Sequence, residues 1–277
     1  MDCGALYPFQ GTDCTGGIAM KQAEGMLAQI RRKSIVELVD AQGFITVSEL
    51  CERFSVSPAT IRNDLHDLEA AQLIERTHGG AISCRRAVYE PDADQKSVQQ
   101  VREKEQIAQA ALKYIQPGDV IALDTGTTTY ALARRLGGFE RLTVVTCDLQ
   151  IAAWLESNTN VRIIMAGGQV RRSFHCTCGQ TAIDTLSRLH VDKLFIAANA
   201  VSLDGLSTPS LEMAAVKSTL IASADRVILL ADSTKLKRRS FARFAGLEQV
   251  HALITDRSAD PEWIAQLVEL GVEVEQV

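Results

Sequence analysis

TVSELCERFSVSPATIRNDLHDLEAAQLIERTHGGA, residues Thr46 to Ala81, is the stretch from which the rest of the chain can be read. Thr46 and Glu49 have the spacing of a capping box, and Val47, Leu50, Cys51 and Phe54 recur at i, i+3, i+4 and i+7, so a short helix begins there. Ser57 caps a second helix, with Pro58 where a first helical residue can lack its N–H and Ile61, Leu65 and Leu68 as its buried stripe. Two helices joined by about three residues have the outline of a helix-turn-helix. Away from the stripe point Ala59, Asn63, His66 and Asp67, with Thr60 and Arg62 at the margins. A small residue, a hydroxyl, an amide and a guanidinium suit the edges of bases in a major groove. Leu73 to Ile82 then reads as two short strands around Gly79-Gly80, a wing that would bring Arg76 and His78 to the sugar-phosphate backbone. The plainer alternative, two surface helices and a hairpin with solvated faces, leaves the agreement of cap, proline, stripe and glycine turn without a cause.

Outward from this stretch, Leu27, Ile30, Ile35, Leu38 and Val39 follow a helical stripe from about Met26 to Ala41, ended by Gly43. Residues 1–25 show little periodicity and read as a flexible tail, or as residues upstream of a later start at Met20 or Met26. From Ser57 to Ala81 the chain resembles the N-terminal signature of the DeoR family of bacterial sugar-catabolism repressors. Ser57, Thr60, Ile61, Arg62, Asp64, Leu65, Leu68, Glu69, Leu73, Ile74, Arg76, His78, Gly79, Gly80 and Ala81 carry the likeness; many members have a second arginine where Asn63 stands. The resemblance implies a winged helix-turn-helix.

The 277 residues suffice for a small and a medium domain, and a hydrophobic fraction of 46% is that of an ordinary globular protein. No apolar run reaches the roughly 18 residues of a membrane helix, and the N-terminus lacks the basic region and apolar core of a secretory signal. A net charge of −5 argues against an indiscriminate polyanion binder. Residues 1–87 hold nine Lys or Arg against eleven Asp or Glu, so DNA binding must rest on a few placed cations: Arg31, Arg32, Lys33, Arg62, Arg76, Arg85 and Arg86. The DNA-contacting set expected is Arg32, Ser57, Ala59, Thr60, Arg62, Asn63, His66, Arg76 and His78. Seven cysteines without an export signal point to free thiols in a reducing cytoplasm. The grouping His175-Cys176-Thr177-Cys178, with Cys147, could be a thiol or metal sensor, but it lacks the matching second pair of a metal site.

Residues 84–101 are polar, contain Pro91 and read as a linker. Beyond it, strand-like runs (Val120–Asp124, Leu142–Thr146, Val161–Ala166, Lys193–Ala197, Val227–Ala231, Ala252–Thr255, Val272–Val277) alternate with helical patterns such as Thr128–Leu136, Asp148–Glu156, Leu211–Ser223 and Pro261–Leu270. That alternation predicts an α/β domain with a largely parallel sheet, Rossmann-like in layout, over residues 102–277. Ligands of such sheets sit beyond the carboxyl ends of the strands. Asp124-Thr125-Gly126-Thr127-Thr128-Thr129 leads from a strand into a helix and reads as a phosphate cradle; no GK[ST] follows, so a nucleoside triphosphate is not indicated. Other strand ends offer Cys147, Gly168 with Arg171, Asp204, and Asp232 to Lys235, while Glu212 and Lys217 lie on a helix that starts near one of them.

This second region also resembles the DeoR family, through LDTGTTTYALA (Leu123–Ala133), VVTCDLQIA (Val144–Ala152), AGGQVRR (Ala166–Arg172), DGLSTPSLEMAAVK (Asp204–Lys217) and LADSTK (Leu230–Lys235). Members usually have Asn where Cys147 stands and often an acid where Met213 stands, and Ala198-Asn199-Ala200 replaces a common glycine-bearing sequence. The resemblance implies an effector domain like the sugar-phosphate isomerases that binds a phosphorylated sugar, with Asp124, Gly126, Thr127, Thr128, Thr129, Glu212, Lys217 and Lys235 as effector-binding residues. The expectation is therefore a non-enzymatic, cytoplasmic repressor of a carbohydrate-catabolism operon. A tail (1–25), a DNA-binding domain (26–83), a linker (84–101) and an effector domain (102–277) make up the chain. A phosphorylated sugar releases it from double-stranded operator DNA; it has no cofactor, metal or membrane partner, and it acts as a homodimer or homotetramer. The alternative is a sugar-phosphate isomerase or lactonase-like enzyme with an appended DNA-binding domain, in which Asp124 or Glu212 would move the proton and Lys235 would steady an enediolate-like charge.

Overall fold

The structure is a computed structural model that describes residues 15–42, 44–71, 73–77, 79–83 and 90–277, with side chains from residue 28 on, Ala41 excepted. Residues 1–14, Gly43, His78, Arg85 and Arg86 lie outside the described residues. Internal contacts divide the chain into two units, Met1–Arg86 and Ala87–Val277.

In the first unit, α1 (Thr15–Gln42) starts well before Met26, so residues 15–25 are helix rather than tail; Met20, Lys21, Gln22, Ala23 and Glu24 are all good helix formers. Strand β1 (Phe44–Thr46) leads into α2 (Val47–Phe54), whose capping box is in place: Glu49 N–H donates to Thr46 Oγ1 at 3.1 Å and Thr46 N–H to Glu49 Oε2 at 2.8 Å. Helix α3 (Pro58–Ala70) starts on the Ser57 cap with Pro58 in its first turn and buries Ile61, Leu65 and Leu68. With Ile35, Val39, Ile45, Leu50 and Ile74 these form one core. The wing is an antiparallel pair, β2 (Ile74–Thr77) and β3 (Gly80–Ser83), and β1 pairs with the other edge of β3. That close approach needs Gly80, where a Cβ would lie 2.0 Å from the Ile45 carbonyl oxygen.

Arg32, expected at DNA, is turned inward. Its Nε lies 2.9 Å from Asp64 and its Nη2 2.5 Å from Asp67, while Arg31 Nε lies 2.5 Å from the other oxygen of Asp64. Asp64 is only 1% exposed. A carboxylate held under α3 needs cations within reach, and the two arginines of α1 supply them, clamping α1 to the underside of α3.

The second unit begins with structure where a linker is expected. Asp92 and Gln95 form a capping box on α4 (Ala93–Ser97), and α5 (Val101–Ala111) follows. Seven strands then build a parallel sheet in the order β15-β14-β12-β9-β4-β5-β6: β4 (Val120–Leu123), β5 (Thr143–Thr146), β6 (Arg162–Met165), β9 (Val191–Ile196), β12 (Ala224–Leu230), β14 (Ala252–Thr255) and β15 (Glu273–Gln276). Every neighbouring pair is parallel. Each strand run expected from the sequence lies in this sheet. Alternate residues serve opposite layers. Ile121 and Leu123 pack with α5, α6 (Thr127–Ala133) and α7 (Leu149–Asn158). Ala122, Val145 and Leu194 pack with α8 (Gln180–Leu186), α9 (Leu211–Ala222) and α10 (Pro261–Glu269). A hairpin of β7 (Gln169–Arg171) and β8 (Cys176–Cys178), and a small antiparallel sheet of β10 (Ala200–Ser202), β11 (Gly205–Thr208) and β13 (Ala242–Ala245), are additions the sequence did not announce.

Replacing Asp64 by Ala leaves Arg31 and Arg32 without their shared carboxylate. We expect this to destabilise the chain's first unfolding transition in urea by about 3 kcal/mol; a midpoint shift no larger than that of an exposed Glu52→Ala control would dismiss the clamp.

Candidate functional site

On the first unit, Ser57, Ala59, Arg62, Asn63 and His66 are exposed along one side of α3, and Thr60 is half-buried beside them, its hydroxyl 2.9 Å from that of Ser57. Arg62, Asn63 and His66 form no ion pair among the described residues. Arg76 on β2 is half-buried; its N–H donates to Glu69 at 3.1 Å and its guanidinium lies 3.8 Å from the same carboxylate. Of the residues expected at DNA, Ser57, Ala59, Thr60, Arg62, Asn63 and His66 share this side of the helix, Arg32 does not, and His78 lies outside the described residues.

On the second unit a pocket opens beyond the carboxyl ends of β4 and β12. Of the residues singled out in the sequence, Thr125, Gly126, Thr127, Thr128, Arg171, Lys217 and Lys235 line it. The other candidates fall elsewhere for identifiable reasons. Asp124, 1% exposed, lies behind the wall, where it accepts from Ala197 N–H at 3.0 Å and pairs with Lys217, whose Nζ also donates to the Ala197 carbonyl at 2.9 Å. Thr129 is fully buried and spends its hydroxyl on Gly126 O at 2.8 Å. Gly168 has φ +156° and permits strand contact, since a Cβ would lie 2.5 Å from Cys178 O. Asp204 is exposed and pairs with Arg239 at 2.5 Å. Glu212 is exposed on α9, where its Oε2 accepts from Cys178 Sγ at 3.6 Å.

Cys147 is also outside the pocket, with burial pushing its thiol up to about 12. Cys176 does line it, yet burial pushes that thiol up to about 11, and Cys178 is raised as well. Protonated, packed thiols are poor nucleophiles and poor metal ligands, which weighs against the sensor reading of these cysteines.

Several lining residues went unforeseen: Glu90 and Lys96 from the supposed linker, Lys104 from α5 and Asn199 after β9; Asp148 and Asp232, which end strands inspected in the sequence, line it too. Asp148 caps α7 through the amides of Gln150 (2.9 Å) and Ile151 (3.0 Å) and receives Gly126 N–H at 3.3 Å, which ties the threonine loop to β5; burial raises its carboxyl above the ordinary range. Lys104 is 7% exposed, donates to the Lys96 and Gln99 carbonyls, and has no ion pair among the described residues. Lys235 likewise has none. Burial draws the Lys104 ammonium down to about 8; nearby Asp232 opposes this, and Lys235 and Lys96 add to it. A pocket with two cations that form no ion pair among the described residues, an arginine and a hydroxyl-rich loop is suited to an oxyanion.

The family model described as the DeoR C-terminal sensor domain matches residues 99–257, and that described as the DeoR-like helix-turn-helix domain matches residues 31–87. The chain is 36% identical over 253 residues to an uncharacterized HTH-type transcriptional regulator, YulB, of Bacillus subtilis (strain 168), covering 91% of this chain and 98% of the relative. To the HTH-type transcriptional regulator GlpR of Haloferax volcanii it is 36% identical over 250 residues, covering 90% and 98%. To the glycerol-3-phosphate regulon repressor of Escherichia coli (strain K12) it is 32% identical over 246 residues, covering 88% and 97%. Among solved structures, ribose 5-phosphate isomerase A of Methanocaldococcus jannaschii aligns with a TM-score of 0.36 at 19% identity, over 48% of this chain and 53% of that one, a likeness too loose to bear on activity.

Lys104 gives the pocket a pH signature. Its folded-state value of about 8 lies below the 10.5 of an exposed lysine, so between those values the unfolded chain holds the extra proton and stability rises with pH across that window. Anion binding should run the other way, because a pocket losing a cation grips phosphate less. Titration of the Lys104 side chain by NMR, with phosphate affinity measured on both sides of about pH 8, checks both; a flat affinity profile would mean that Lys104 does not face the anion.

Proposed function

The chain belongs to the DeoR family of helix-turn-helix transcriptional regulators, and from that premise we propose that it represses a carbohydrate-catabolism operon and leaves its operator when a phosphorylated sugar enters the second unit. Family membership places it among regulators rather than isomerases or lactonases. The observation that carries the effector reading is the pairing of Lys104 and Lys235, both without a carboxylate partner among the described residues, with Arg171 and the Thr125–Thr128 loop around one pocket. A phosphate dianion matches such cations and amides, while Asp232, Asn199 and Asp148 are suited to sugar hydroxyls. The name of the Escherichia coli relative, a repressor of a glycerol-3-phosphate regulon, supports a small phosphorylated metabolite.

In this reading Ser57, Ala59, Thr60, Arg62, Asn63 and His66 face the major groove and Arg76 the backbone. Thr125, Gly126, Thr127, Thr128, Arg171, Lys217 and Lys235 hold the effector, with Lys104 added. A homodimer or homotetramer supplies paired reading heads for paired half-sites, and the cytoplasm is where operator and metabolite meet. No helix among the described residues is long and apolar enough to cross a membrane. Linkage requires reciprocity: an effector that weakens operator binding binds less tightly to the DNA-bound protein.

Thermal melting across a panel of phosphorylated and free sugars tests the effector class, since a ligand of the folded state alone raises the melting temperature. Stabilisation by free sugars but by no phosphorylated one would overturn it. Lys235→Ala should weaken the best phosphorylated ligand roughly 10- to 100-fold by removing one charge-assisted contact, and unchanged affinity would take Lys235 out of the site. Arg62→Ala should weaken operator binding by about 1 to 3 kcal/mol if the guanidinium grips a base edge; equal binding in a mobility-shift titration at moderate salt would exclude that contact.

A further inference from the structure

Glu90 stands close in sequence to Arg86, the last residue of the first unit, yet its carboxylate sits among the cations of the effector pocket. Lys96 Nζ lies 2.6 Å from one oxygen and Arg171 Nη1 2.7 Å from the other, and Asn199 Nδ2 donates to the first at 3.1 Å. The side chain is only 9% exposed, and Lys96 and Arg171 together hold its carboxyl below the ordinary range against the opposing pull of burial. Arg171 also lies against the Phe174 ring, 3.7 Å from its centroid, with Lys96 over the same ring at 5.4 Å. A lysine, an arginine and an amide around one oxyanion are also what a ligand phosphate would seek in this pocket.

The segment carrying Glu90 is lightly attached. Helix α4 has five residues, none of them buried. Its fastenings are the Asp92–Gln95 capping box, Ala93 N–H to Ser173 O at 2.9 Å, and the Lys104 ammonium under the Lys96 and Gln99 carbonyls. At its far end Gln100 takes a left-handed conformation, φ 46°, that non-glycine residues adopt at a cost, just before α5 begins. A short strap with no buried side chain on its helix, a left-handed joint and one ion pair to the rest of the unit has little to hold it in place.

We propose that Glu90 is an internal stand-in for the effector's anionic group. An arriving phosphate takes over Arg171 and displaces the carboxylate, which leaves with Lys96, its partner on the same strap, and the strap from Glu90 to Gln100 is freed. Ligand entry and loosening of the segment that follows the first unit are then a single event, and only an anion competes well enough to cause it. This inference rests on the phosphorylated-effector reading of the pocket.

The test uses the full-length chain and inorganic phosphate, which presents the anion without a particular sugar. Glu90→Gln keeps the shape and removes the competing charge, so it should bind phosphate about tenfold tighter or more, read by NMR titration. In the unaltered chain, hydrogen exchange at the amides of Gln95 and Lys96 should speed up when phosphate is added, an observation that needs no variant. Phosphate binding by the unaltered chain with equal or weaker binding by Glu90→Gln, or with slower strap exchange, overturns the displacement and leaves the pocket's anion reading standing. Binding of phosphate by neither chain, with both folded by circular dichroism, overturns the anion reading and this proposal with it.

Discussion

Lys217 reaches from α9 to Asp124 at the carboxyl end of β4, and both side chains are almost entirely buried. Two charges withdrawn from water are tolerated only when each meets the other and further polar partners. Here the backbone of Ala197, at the end of β9, provides those partners: its N–H serves the carboxylate and its carbonyl the ammonium. One ion pair therefore ties two central strands and a helix at the edge of the sheet where the pocket opens. The Thr125–Thr128 loop starts one residue after Asp124, so its position is inherited from that pair. Asp148 fixes the loop from the other side through Gly126.

With this floor in place, the remaining charge around the pocket follows from what the floor leaves over. Lys217 is answered by Asp124 and Lys96 by Glu90, whereas Lys104 and Lys235 have no ion-pair partner among the described residues. A buried ammonium that donates only to carbonyls keeps its positive charge at a desolvation cost, which is what lowers the Lys104 value toward neutrality. A pocket with that surplus discriminates by charge before it discriminates by shape.

The parts legible in the sequence are those set by local rules. The capping box at Thr46 and Glu49, the Ser57-Pro58 start and the Ile61, Leu65, Leu68 stripe each specify their own geometry, and the apolar runs of the parallel sheet are buried on both faces. Residues 90–100 were not legible because α4 has no apolar stripe; its one signal was the Asp92-to-Gln95 spacing, a capping box hidden in polar sequence. Arg32 looked like a free cation because its partner Asp64 is 32 residues away. Strand-end reasoning pointed to the edge of the sheet where the pocket opens, and Arg171 and Lys235 from that edge line it. It could not tell which of several loops fold over that edge, so Asp204 and Glu212, on loops and helix turns that face water, were counted with them.

A sensor works only if its ligand distinguishes two states of similar free energy, because a ligand with equal affinity for both shifts nothing. The strap meets that requirement through what it lacks. Held by buried apolar side chains, it would need many kcal/mol to release; held by the Glu90–Arg171 pair and a few hydrogen bonds, it can be released by a few kcal/mol of differential binding, on the order of what a phosphate taking over a charge-assisted contact provides. The same polarity that made residues 90–100 read as a linker thus lets them act as a part of the site that can leave it.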